Sequence, residues 1–218
     1  MISGFLLINK DSGITSSRVV QIIKKKFNFK KVGHLGTLDP MAKGLLILAI
    51  NRATKFSSLL LQSNKSYYAE VTLGQQTDTD DAEGAITAIQ KVACKDQEVK
   101  TKLLAFLGES QQFAPAYSAL KHKGKPMYKY ARDGIRVDKE ARTITINQID
   151  HITIDLPKVS FDIACSKGTY IRSIARDLGN QLKCGGHLSD LIRTSQEKFS
   201  INDASSIDEV SEDKIIPL

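Results

Sequence analysis

The run LLILAI at residues 45–50 constrains the fold more than any other stretch. A continuous apolar run this short is a buried strand sooner than a helix. Residues 66–73 (SYYAEVTL), 143–149 and 158–165 (KVSFDIAC) mix β-branched and aromatic side chains and read as further strands. Helical spacing appears elsewhere. Val19, Ile22, Ile23 and Phe27 follow the capping residues Thr15 and Ser16, and residues 53–61 continue in a helical pattern. Val99, Leu103, Phe106 and Leu107 form a stripe that ends at Gly108. Gly168 and Thr169 open another helix with Ile171, Ile174, Ala175 and Leu178 on one face. Gly185 and Gly186 then break the chain before a short segment around Leu191. Strands and helices without a regular βαβ rhythm favour an α+β fold over a doubly wound one. Residues 77–84 (TDTDDAEG) are an acidic turn-rich loop, and residues 110–140 lack sustained periodicity. The latter read as a long, partly mobile loop, a kind that is often functional.

Composition narrows the partners. The 218 residues carry a formal net charge of +7, which favours an anionic partner. Arg18, Lys24, Lys25, Lys26, Lys30 and Lys31 fall together with no acid among them, whereas the stretch from Asp203 onward is acidic. A lysine run is usually a solvated helix face. The three cysteines, Cys94, Cys165 and Cys184, are widely spaced, which argues against a disulfide framework. The N-terminal apolar run is too short for a signal peptide, and no run approaches the roughly 20 residues that cross a bilayer. A cytoplasmic protein with no membrane association is expected. GxGxxG, GxxxxGK[ST] and GxSxG patterns are all missing. Cys184 and His187 have ligand-like spacing, but no second pair completes a set, so no metal and no organic cofactor is expected.

One carboxylate stands out. In GHLGTLDPMAKG, residues 33–44, Asp39 sits between Leu38 and Pro40. The proline disfavours the α region at Asp39, and Gly33 and Gly36 permit conformations or close approaches that a side chain would block. A stiff loop aiming one carboxylate suits a nucleophile or general base. The same pattern also describes an Asx-turn, the commoner use of Asp in a turn, and these residues alone do not separate the two.

Four ordered blocks add to this. GFLLINKDSGITSS leads into GHLGTLDPMAKGLL with NRATKFS, then KSYYAEVTLGQQTDTDDAEG, PAYSALKHKGKPMYKYARDGI and CSKGTYIRSIARDLG. Together they resemble the bacterial tRNA pseudouridine-55 synthases, over nearly the whole chain to about Arg193. The resemblance implies the pseudouridine-synthase fold, a mixed, largely antiparallel sheet flanked by helices. It implies isomerisation of uridine 55 in the tRNA T loop by base flipping, with Asp39 as the catalytic aspartate. Tyr67 matches the tyrosine that stacks on the target base, and Arg172 the arginine that pairs with the catalytic carboxylate. His34 matches a histidine used in T-loop recognition, Tyr170 and Leu191 fall at positions lining the uracil pocket, and Asp81 aligns with an acidic residue near the substrate.

With an RNA substrate implied, Lys24, Lys25, Lys30 and Lys31 become candidate backbone contacts. So do Lys121 and Lys123, on a segment that serves the family as a thumb-like loop. The expected organisation is a catalytic domain over residues 1–193, with the thumb near 110–140, and a short acidic tail over 194–218 in place of the RNA-binding PUA domain many members carry. The expected partner is the tRNA T stem-loop, with no guide RNA, no obligatory protein partner and a monomeric state. A tRNA-folding chaperone is the rival from another class, but binding alone does not call for Asp39, Tyr67 and Arg172 together.

Overall fold

The computed structural model describes residues 2–118, 120–122, 124–135, 137 and 140–218. The chain divides into two compact units, Met1–Tyr68 with Leu191–Leu218, and Ala69–Asp190. The first opens with β1 (Gly4–Lys10), α1 (Ser16–Lys26), β2 (Val32–His34) and β3 (Lys43–Ile50). A 3-10 helix (Asn51–Phe56) and α2 (Ser57–Leu61) lead into β4 (Lys65–Leu73), which carries the chain into the second unit. There follow β5 (Gln75–Thr77), β6 (Ile86–Ile89), α3 (Asp96–Leu104), β7 (Gly108–Phe113), β8 (Lys121–His122), β9 (Lys125–Pro126), α4 (Met127–Arg132), β10 (Ala141–Asp155), β11 (Lys158–Cys165) and α5 (Ile171–Gln181). Strand β12 (Gly186–Gln196) returns to the first unit, which closes with β13 (Phe199–Ser200) and β14 (Ile216–Pro217). The fold is α+β, and its sheet pairing is mixed but largely antiparallel.

In the first unit the strand order is β14-β1-β3-β12, with β2 on β3 and β13 on β12. The LLILAI run lies in β3, where every residue from Leu45 to Ile50 is buried, as an uninterrupted apolar strand requires. β1 pairs with it antiparallel over Gly4–Lys10, and β12 joins it in parallel with Arg193 opposite Gly44. Phe199 packs with Leu7, Leu35, Leu45 and Ile47 in one apolar cluster. Residues 194–218 are therefore part of this unit's body where an acidic tail was expected. The acids face solvent, but Phe199 and Val210 are buried.

Helix α1 starts as its sequence predicts, with the Thr15 side chain accepting from the amide of Arg18. In the second unit, β11 and β10 form a long antiparallel pair with β7 beyond, and β4 lies beside β11. Residues 110–140, read from sequence as a long loop, contain the end of β7, the β8–β9 hairpin and α4. Strands of only two residues leave little periodicity to read. Among the described residues, no helix is long and apolar enough to cross a membrane.

Candidate active site

Asp39 lies half-buried in the loop joining β2 to β3. Polar side chains of the same unit hold this loop on both sides of it. Ser16, the first residue of α1, accepts from the amide of Leu38 at 2.8 Å and donates to its carbonyl at 2.9 Å. Lys10, fully buried at the end of β1, donates to the carbonyls of Pro40 (3.2 Å), Asp11 (2.8 Å) and Ile14 (2.7 Å). The amide of Gly13 reaches the Pro40 carbonyl at 2.8 Å, and that of Ala42 reaches the Asp39 carbonyl at 3.1 Å. From β12, the Arg193 guanidinium donates to the carbonyls of Leu45 (2.7 Å) and Gly36 (3.1 Å), with a longer 3.5 Å approach to Thr37. Gln196 donates to the carbonyls of Leu35 (2.7 Å) and Leu60 (2.9 Å). A loop that lacks strand pairing must satisfy its buried backbone groups in this way or lose the stabilisation of burial.

Two glycines make that packing possible. Gly36 has φ +133°, and a Cβ there would sit 3.4 Å from both the Arg193 guanidinium and the Gln196 side-chain oxygen. Gly44 has φ +98°, and a Cβ would collide with the carbonyl oxygen of Arg193. Gly33 differs from the sequence expectation. Its φ is outside the left-handed region and nothing lies within 4 Å of a Cβ, so neither conformation nor space requires glycine there.

The same unit gathers three more of the expected residues. His34 ends β2, and its Nδ1 is buried without a hydrogen-bond partner among the described residues. Burial, and secondarily the Arg193 guanidinium, lower its pKa, so the ring is neutral near pH 7. Tyr67 lies on the buried face of β4, which alternates buried and half-buried residues along its length. Its side chain interacts with the Arg193 guanidinium. Leu191 is buried on β12.

The second unit holds the remainder. Arg172, in the first turn of α5, is 5% exposed, which excludes a surface arginine. It donates to the carbonyls of Thr79 (3.0 Å) and Tyr117 (2.9 Å) and meets the Asp81 carboxylate at 3.3 Å. Asp81, expected beside the substrate, is 3% exposed, and its carboxylate also accepts from the Thr79 hydroxyl and the Glu83 amide. Tyr170 immediately precedes α5 and exchanges two hydrogen bonds with Gln112, at 2.8 and 3.1 Å. The Arg142 guanidinium lies 5.6 Å from its ring centre.

Lys24, Lys25, Lys30 and Lys31 are all exposed. Lys26 is engaged, donating to the carbonyls of Ile207 (3.0 Å) and Asp208 (2.7 Å). Lys123 and the side chain of Lys121 lie outside the described residues. Cys184 is buried, and His187, on β12, meets the Gln75 carbonyl at 3.1 Å. Among the described residues no group of three or more His, Cys, Asp or Glu could hold a metal.

Sequence reasoning missed the holding residues Lys10, Ser16, Arg193 and Gln196 as parts of the site. Ser16 read as a cap, and Lys10 lay in the stretch that leads into the first matching block. Arg193 and Gln196 sat in a stretch too polar to suggest a buried strand. The signal available for those two was a bulky polar residue recurring amid Leu191, Ile192 and Phe199.

Known proteins resemble this chain closely. Residues 24–171 match the family model described as TruB family pseudouridylate synthase (N terminal domain). The tRNA pseudouridine synthase B of Alkaliphilus oremlandii is 45% identical over 99% of this chain and 74% of its own length. That of Aromatoleum aromaticum is 45% identical over 95% of this chain and 67% of its own length. Among solved structures, a chain of a Cbf5-Nop10-Gar1 complex superposes with a TM-score of 0.75 at 28% identity, covering 98% of this chain and 60% of that one.

Proposed function

The chain belongs to the TruB family of pseudouridylate synthases, and from that membership we propose that it converts uridine 55 in the T loop of tRNA to pseudouridine. The observation that carries the reading is a half-buried Asp39 whose flanking residues are fixed by buried side chains, in a chain 45% identical over nearly its full length to tRNA pseudouridine synthase B.

The reaction breaks the N1–C1′ bond, turns the uracil and forms C5–C1′. The proton leaves C5 and N1 gains one, so nothing is added or lost and no water is consumed. A stacked T-loop base must first be extruded, which costs unstacking energy that an aromatic face can replace. Tyr67 supplies that face, and Leu191 the apolar wall of the uracil pocket. His34, neutral and with an unsatisfied Nδ1, holds a polar edge of the loop. Asp39 begins the chemistry. Attack on C1′, addition to C6 and removal of the C2′ proton all use one carboxylate on a fixed loop. In the second unit, the roles of Arg172 and Tyr170 rest on the family motifs they occupy. The Asp81–Arg172 pair makes Asp81 a positioning residue for that arginine.

Exposed Lys24, Lys25, Lys30 and Lys31 contact the tRNA backbone, supported by their clustering with no acid in residues 18–31 and by the formal net charge of +7. The enzyme acts as a monomer without guide RNA. Greater identity to the tRNA pseudouridine synthase B proteins than to Cbf5 supports this. The test incubates the purified protein with an unmodified tRNA transcript and maps pseudouridine by carbodiimide labelling. Product appears at position 55 and is lost when that uridine is replaced by cytidine. Product at other uridines alone contradicts the reading.

A further inference from the structure

We propose that Arg193 is a positioning residue that locks the catalytic loop to the base-stacking tyrosine. The inference rests on the family reading of Asp39 and Tyr67. Arg193 is 1% exposed, one of the largest fully buried side chains in the protein. A buried charge is costly unless it is paired or richly hydrogen-bonded. Among the described residues no carboxylate pairs with Arg193. Its partners are the carbonyls of Leu45, Gly36 and Thr37 and the side chain of Tyr67.

Those partners are what the cation connects. Gly36 and Thr37 lead into Asp39, Leu45 begins the apolar run that follows it, and Tyr67 stands on a different strand. A planar guanidinium with five donors in a fixed fork can reach all of them at once. A lysine ammonium is a single point and cannot. The glycine at 44 is explained by the same strand, since a Cβ there would strike the Arg193 backbone. Ser16 fixes Leu38 from the other side, through its amide and its carbonyl. The two side chains thus hold successive residues of one loop, and misplacement of a reacting group by about 1 Å can cost about 100-fold in rate.

The test compares Arg193→Lys with wild type on the unmodified tRNA transcript, at a temperature where both are folded by circular dichroism. Val159→Ala serves as a control that opens a fully buried core position on β11, in the second unit. Arg193→Lys should lower kcat at least about 10-fold with KM within about 2-fold, while Val159→Ala lowers the melting temperature and leaves kcat of the folded protein within about 2-fold. Arg193→Lys and Ser16→Ala should be non-additive in kcat, because each disturbs the same loop. A kcat unchanged in folded Arg193→Lys overturns the proposal, as does a loss seen in KM alone. If wild type itself makes no pseudouridine, the family reading of function fails instead, and the two failures are distinguishable.

Discussion

His34 and Arg193 are neighbours in the first unit, and the imidazole carries the consequence. Its lowered pKa, caused by burial and then by the guanidinium, means the unfolded chain protonates this histidine before the folded protein does. The stabilising contribution is complete above about pH 6.5, the ordinary histidine value, and is lost as the pH falls through the lower folded value. Between pH 7 and 5 the wild-type protein should therefore lose stability more steeply than His34→Gln, read from urea midpoints at each pH. Glycines give a second residue-level prediction. Gly44→Ala forces a side chain into a left-handed conformation against a backbone oxygen and should cost about 2 kcal/mol or more. Gly33→Ala meets open space and should stay within about 0.5 kcal/mol, although the sequence pattern makes the two look alike. The reason is that a glycine's necessity depends on φ and on what approaches it, and neither is written in a loop's composition. Asp39 and Tyr67 could be proposed from sequence because the ordered motif blocks contain them. Arg193 could not, because its proposed role depends on three carbonyls from distant positions.

At the scale of elements, α1, β3, β4, β11 and α5 follow directly from hydrophobic periodicity. Each buries one face or, in β3, the whole run. β12 was hidden because buried His187, Arg193 and Gln196 break the apolar pattern of a core strand, each hydrogen-bonded to a backbone carbonyl instead. Helix α1 has separable duties on its two faces. Val19 and Ile23 are buried, whereas Lys24 and Lys25 in its last turn are exposed. Removing the cap by Thr15→Ala should cost about 1 kcal/mol in urea unfolding and leave salt-dependent RNA binding unchanged. Replacing Lys24, Lys25, Lys30 and Lys31 by Gln should do the reverse. Stability should hold, while tRNA affinity falls and the slope of log affinity against log salt drops by about 0.7–0.9 for each phosphate no longer neutralised. An unaltered slope means that these lysines are a solvated face.

The molecule as a whole is two compact units, with β4 and β12 carrying the chain from one to the other. Composition predicted a basic protein of ordinary core size. It did not predict that residues from both chain ends build the first unit, because pairing between β1 and β14 and the burial of Phe199 join residues far apart in sequence. Phe199→Ala should destabilise the protein by about 3–5 kcal/mol in urea unfolding, as expected for a buried aromatic and unlike a residue in an acidic tail. A folded core, a fixed loop and a basic surface all serve one carboxylate in this reading. The decisive measurement is therefore pseudouridine mapping at position 55 of an unmodified tRNA transcript incubated with wild type and with Asp39→Ala, alongside tRNA binding by both. Wild type should form the product, whereas Asp39→Ala should form none and bind tRNA within about 3-fold of wild type. Pseudouridine formed at position 55 by the Asp39→Ala protein contradicts the assignment of Asp39.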